Sequence, residues 1–170
     1  MNRWHFNKKL RMSFVLSLCF MGLTMSGVGM ERFFPTTGVS YAIGQGQGEV
    51  VHKENATMEL LRETNVERSR YGLPLLKMSP SLNEAASVRA KEIVQKFSHT
   101  RPDGGHWSTV TSEGYAENIA RGHQTASRVT AAWMTSQGHR QNILQGRYST
   151  IGICAVEYNG IMYWVQIFGK

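Results

Sequence analysis

The chain has 170 residues, 41% hydrophobic and 18% charged, with a formal net charge of +7. That length suits one domain, and nothing in the composition points to repeats or low-complexity segments. Much of the charge lies early: Arg3, Lys8, Lys9, Arg11 and Arg32 against Glu31 leave residues 43–170 at only +3. So mild a balance, with no basic stripe, excludes a nucleic-acid partner.

Residues 1–42 read as a signal peptide, which makes the protein secreted, with cell-surface association as the variant of that reading. A basic segment precedes an apolar stretch from Met12 to Met30, and Ser40 and Ala42 supply small residues for cleavage after Ala42. The same stretch is long enough to serve as an uncleaved membrane anchor, which stays open as the alternative. Cys19 lies inside it, with Leu18 where a lipidation signal needs a small residue. The mature chain then keeps only Cys154, so no internal disulfide can form and the domain rests on its core alone. Cys154 falls in an apolar run and is expected to be a small buried residue.

Residues 43–54, Gly-rich at the start, read as a flexible linker, and residues 55–170 as the folded domain. A first helix is expected over about 55–71, with Met58, Leu61, Asn65 and Arg68 near one line and Leu60 and Val66 broadening it. Gly72 and Pro74 end it. A second runs from Ser81 to about Phe97, its apolar side made of Leu82, Ala85, Ala86, Ile93, Val94 and Phe97. Arg89, Lys91, Glu92 and Lys96 fall on the other side. Pro80 stands at its entry, where a missing N–H costs little. Tyr115–Ala120 has the length of a strand. Thr125 is an N-cap for a third helix from Ala126 to about Gln137, broken by Gly138.

The C-terminal segment carries the sharpest pattern. Two apolar runs, 151–158 and 161–168, flank Asn159-Gly160, a hairpin signal because both central positions need positive φ. Ile151, Ile153 and Ala155 alternate with Cys154 and Val156, and Tyr163, Val165 and Ile167 with Trp164 and Phe168. An antiparallel hairpin apolar on both faces must be covered on both. The fold class is therefore α+β, a three-layer α-β-α sandwich around a mainly antiparallel sheet.

Three residues invite a chemical reading. His99 and His139 each stand at a helix-to-loop junction beside small residues. Glu117 is a carboxylate inside an apolar run, where a charge needs a partner. His52, in the linker, and His123, in a polar turn, are expected to be solvated. Two imidazoles and a carboxylate can act as general acid and base. They can also hold a divalent metal such as zinc, with His99 and His139 as ligands and Glu117 nearby. A structural hydrogen-bond network is the third possibility. No G-x-S-x-G, H-E-x-x-H, phosphate-binding glycine loop or C-x-x-C occurs.

Several stretches occur in order: Phe97-Ser98-His99-Thr100-Arg101-Pro102-Asp103-Gly104, then Ala116-Glu117-Asn118-Ile119-Ala120. Trp133 and Gly138-His139-Arg140-Gln141-Asn142-Ile143-Leu144 follow, then Ile151-Gly152 and Tyr163-Trp164-Val165-Gln166. This series resembles the CAP superfamily, or SCP domain, of cysteine-rich secretory, antigen 5 and pathogenesis-related proteins, and its bacterial secreted branch most closely. The resemblance covers about Met58 to Lys170. It implies an α-β-α sandwich whose cleft is lined by two histidines and two glutamates, and which binds a divalent metal in some members. His99, Glu117 and His139 match three of those positions. The fourth, three residues after the tryptophan in animal members, is Ser136 here, and Glu113 is the available substitute. The resemblance favours a non-enzymatic extracellular binding module for a lipid- or sterol-like molecule, or for a cell-envelope or host protein. A His/Glu-dependent or metal-assisted peptidase and a structural envelope protein are the alternatives. A monomer is expected.

Overall fold

The computed structural model describes residues 48–170. The expected leader, its cleavage site and the first part of the linker lie outside the described residues. In chain order the elements are β1 (Val51–His52), α1 (Glu54–Arg70), β2 (Lys77–Met78), α2 (Pro80–Gln95), β3 (Ala116–Arg121), α3 (Ala126–Thr135), α4 (Gln137–Ile143), β4 (Thr150–Tyr158) and β5 (Ile161–Gly169). A single 3-10 turn, Trp107–Val110, precedes β3.

The C-terminal hairpin organises the rest. Asn159 and Gly160 take φ of 49° and 74°, the positive values a two-residue turn needs, and β4 and β5 pair from Tyr158↔Ile161 to Thr150↔Gly169. Antiparallel β1 extends the sheet beyond β4, and β3 closes the other side against β5, giving the order β1-β4-β5-β3. The short β2 runs parallel to the start of β4. The alternation expected for the hairpin is realised as two cores. Ile151, Ile153, Ala155, Trp164 and Phe168 pack with Leu60, Val129, Trp133 and Ile143 of α1, α3 and α4. Cys154, Val156, Tyr163, Val165 and Ile167 pack with Leu82, Ala86, Ala90 and Ile93 of α2. Each fully buried large apolar side chain contributes roughly 1.5–3 kcal/mol.

One contact sets how closely α2 approaches the sheet. A Cβ on Gly152 would lie 2.1 Å from the backbone C and O of Leu82, so only glycine lets the first turn of α2 sit on β4. Ser79 caps that turn, its hydroxyl accepting from Leu82 N, and Pro80 occupies the first helical position.

Four expectations need correction. The stretch read as linker carries β1 and the first residue of α1, Glu54; His52 is exposed as expected but is paired into the sheet, its Nδ1 3.5 Å from Cys154 Sγ. The buried line of α1 is Leu60, Thr64 and Arg68, while Met58 is exposed, because α1 packs along its i, i+4, i+8 ridge. The α3 helix stops at Thr135, and the break falls at Ser136, whose extended φ/ψ of −91°/121° separates the helices. Gly138 lies inside α4. In α2, Arg89 is buried among the residues assigned to the core, whereas Phe97, beyond the helix end, is 41% exposed with the Arg121 guanidinium 5.1 Å over its ring.

Candidate functional site

The site forms at the edge strand β3, where α2 and the loop after it meet the sheet. Glu117 lies on the α2 side of β3 and its side chain is wholly buried. Burying an isolated carboxylate is costly, and here the cost is offset by charge-assisted bonds on both oxygens. Arg89 Nε donates to Glu117 Oε1 at 2.6 Å, and the His99 Nδ1 is 2.7 Å from Oε2. Arg89 is itself wholly buried and donates also to Glu92 Oε2 at 2.6 Å and to Ser98 O at 2.7 Å. Burial alone would lower the Arg89 pKa, but its bonds to Glu117 and Glu92 carry it above the ordinary value. Glu92 is partly buried, which would raise its pKa, yet Arg101 and Arg89 hold it below the usual carboxylate range.

The loop carrying His99 is fixed from the same centre. Arg101 Nε and Nη2 both donate to Glu92 Oε1, at 2.9 and 2.7 Å. Trp107 N donates to His99 O at 2.9 Å, and Arg101 N to Gly105 O at 2.8 Å. His99 therefore has its Nδ1 side set by Glu117 while its side chain stays 51% exposed.

His139 enters from the other face of β3. It lies in the first turn of α4, half-buried, with its ring 6.2 Å from that of Trp133. Burial, then the nearby charge of His99, lowers its pKa below 6.5. Its placement comes from a buried polar chain. Thr64 on α1 donates to Leu60 O and accepts from Gln166 Nε2 at 2.7 Å. Asn118 Nδ2 donates to Gln166 Oε1 at 3.1 Å and to His139 O at 3.3 Å, and Asn142 Nδ2 donates to Asn118 Oδ1 at 2.9 Å. Polar groups in so closed a chain order the elements that carry them, here α1, β5, β3 and α4.

The structure thus brings His99 and Glu117 into direct contact and sets His139 within electrostatic reach of His99. The two positions considered for a second carboxylate supply none. Ser136 is the joint between α3 and α4, and Glu113 accepts from Ser81 Oγ at 2.5 Å at the start of α2. Among the described residues, no group of three or more His, Cys, Asp or Glu side chains is arranged to hold a metal ion. Glu117 is committed on both oxygens, so the two imidazoles remain, fewer than the three protein ligands of a catalytic zinc site. His123 contributes its carbonyl, which accepts from Trp164 Nε1 at 2.8 Å.

Arg89 is the principal residue that sequence reasoning missed. The signal was present: Leu82, Ala86, Arg89 and Ile93 fall on one helical stripe, and Glu117 required a buried cation. Asn118, Asn142 and Gln166 lay inside the recognised motifs without an assigned role.

Comparison with known proteins bears on the family and the fold. The model of the cysteine-rich secretory protein family, CAP, matches residues 61–168. The protein YkwD of Bacillus subtilis, described as uncharacterized, is 36% identical over 115 residues, covering 63% of this chain and 44% of that protein. The chain thus spans less than half the length of that relative. Among solved structures, an outer surface protein of Borrelia burgdorferi superposes with a TM-score of 0.64 at 21% identity, over 72% of this chain and 98% of that one. An extracellular protein containing an SCP domain from Bacillus anthracis gives 0.57 at 24% identity, over 69% and 41%. At those identities the likeness is one of fold, and it supports the α-β-α sandwich. With the family model matching well over half of its length, the chain belongs to the CAP family of cysteine-rich secretory proteins.

Proposed function

We propose that this protein is an exported binding module, and that the cleft bordered by His99, Glu117 and His139 takes a small amphipathic ligand, or an envelope or host partner, without turning it over. The observation that carries this reading is the commitment of Glu117: both oxygens are held by Arg89 and His99, and the side chain is wholly buried. No second carboxylate stands at Ser136 or reaches in from Glu113. What remains near the surface is the half-exposed His99 imidazole and, two residues before it, exposed Phe97 with the Arg121 guanidinium 5.1 Å over its ring, groups that suit recognition. Descriptions of two similar structures as an extracellular and an outer surface protein support export. No helix among the described residues is long and apolar enough to cross a membrane. Saturable binding of a lipid, sterol or cell-wall fraction by the full chain, lost in His99→Ala, supports the reading. Failure to bind anything across that panel overturns it.

A hydrolytic reading is favoured by one observation. The Glu117 carboxylate lies 2.7 Å from His99 Nδ1, and the imidazole is half exposed, the pairing a histidine general base uses. It predicts turnover of a peptide library, abolished by His99→Ala or His139→Ala with the fold retained. A metal-dependent version also requires zinc to raise the melting temperature of wild type but not of the double variant. Absence of both turnover and thermal shift removes this reading.

A further inference from the structure

A concave site lies along α4, lined by residues on either side of His139 but not by His139 itself. A groove of about 770 Å³ runs along the outer side of α4, and none of His99, Glu117 or His139 lines it. That volume is within the range of small-ligand sites. Gln137 and Gln141, spaced i, i+4 on α4, line it together with Gln145, just beyond the end of the helix. Among the described residues, the Gln137 and Gln141 side chains have no hydrogen-bond partner, and Gln145 uses only Oε1, accepting from Arg147 N.

Arg140 is the one charged residue lining the groove. It donates to the Tyr71 hydroxyl at 2.9 Å and lies 5.4 Å over that ring, and among the described residues it enters no ion pair. Met134 and Leu144, packed on the core, supply a small apolar lining. Tyr148 is stacked against Phe168.

The wall is also rigid. Buried Arg68 donates to the carbonyls of Ile143 and Gln145, at 2.8 and 2.9 Å, and of Tyr148 at 3.0 Å. A loop clamped at three carbonyls loses little entropy when a ligand binds.

We propose that this groove binds a carboxylate-bearing oligosaccharide, its hydroxyls bonded by Gln137, Gln141 and Gln145 and its carboxylate paired with Arg140. An amide offers both a donor and an acceptor, as a sugar hydroxyl does, so a row of amides matches a row of hydroxyls. An acyl chain lying there would desolvate the amides without pairing them. The guanidinium without a carboxylate partner selects an anionic sugar over a neutral one.

The test is calorimetric titration of the full chain with two probes of equal length, a hyaluronan tetrasaccharide carrying uronates and neutral chitotetraose. The uronate probe is expected to bind about tenfold tighter, as a charge-assisted bond requires. Arg140→Gln should remove that preference, Gln141→Ala should weaken both probes, and Arg128→Gln, an exposed cation at the far end of α3, should change neither. Circular dichroism checks that the variants are folded. The proposal is overturned if neither probe binds at millimolar concentration, or if Arg128→Gln weakens binding as much as Arg140→Gln. It is equally overturned if dodecanoate displaces the sugar and binds Gln141→Ala undiminished, which would make the groove a lipid site.

Discussion

Arg89 and Glu117, one on α2 and one on β3, meet at 2.6 Å with both side chains wholly buried. Removing one partner leaves an uncompensated buried charge, which typically costs about 3–5 kcal/mol. Glu117→Ala and Arg89→Ala should each lower stability by that order in urea unfolding. The double variant Arg89→Met with Glu117→Leu should recover much of the loss. A double variant no more stable than the singles would show that the pair does more than neutralise itself.

Gly152 tests how tightly α2 is seated. A methyl group there collides with backbone, which cannot swing aside as a side-chain tip can. Gly152→Ala should therefore cost about 1–3 kcal/mol, the range of an overpacked core. Gly138→Ala provides the contrast, since nothing lies within 4 Å of a Cβ there. It should stabilise α4 by up to about 1 kcal/mol. Thermal melts of the two variants should shift in opposite directions.

The lowered pKa of His139 makes part of the stability dependent on pH. Its folded value lies below 6.5, through burial first and His99 second, so near that pH the unfolded chain binds the proton more readily. Stability is complete above the unfolded pKa, falls as pH drops through 6.5 toward the folded value, and levels off below it. His52 acts in the same direction, through burial and the charge of Lys91. Urea midpoints between pH 8 and 5 should fall less steeply for His139→Gln than for wild type.

Cys154 is 3% exposed, and burial raises its thiol pKa to about 11. Little thiolate exists at neutral pH and the sulfur is covered, so Cys154 in the native protein should resist iodoacetamide, read by peptide mapping at that residue. Labelling of Cys154 should accelerate across the unfolding transition. Rapid modification of Cys154 in the native protein would contradict the core placement.

The hairpin and the layers were legible because period-2 apolarity and Asn159-Gly160 are local signals that no distant contact has to complete. Thr125 was legible as a cap for the same reason. The candidate site was legible only in part. The motifs named His99, Glu117 and His139, whereas the loss of Ser136 as a ligand position already argued against a fourth member. Arg89 was set on the wet face because arginine is seldom fully buried, although the stripe of Leu82, Ala86 and Ile93 included it.

What the sequence by itself determined is the α-β-α sandwich and the family. Tertiary structure alone decided that Glu117 is neutralised by Arg89, that Thr64, Gln166, Asn118 and Asn142 form one chain reaching the backbone of His139, and that Arg68 clamps the loop after α4. The physical reason is the cost of burial. A charge or amide withdrawn from water needs its partner at hydrogen-bond distance, and those partners lie up to 102 positions away, beyond the reach of any local pattern.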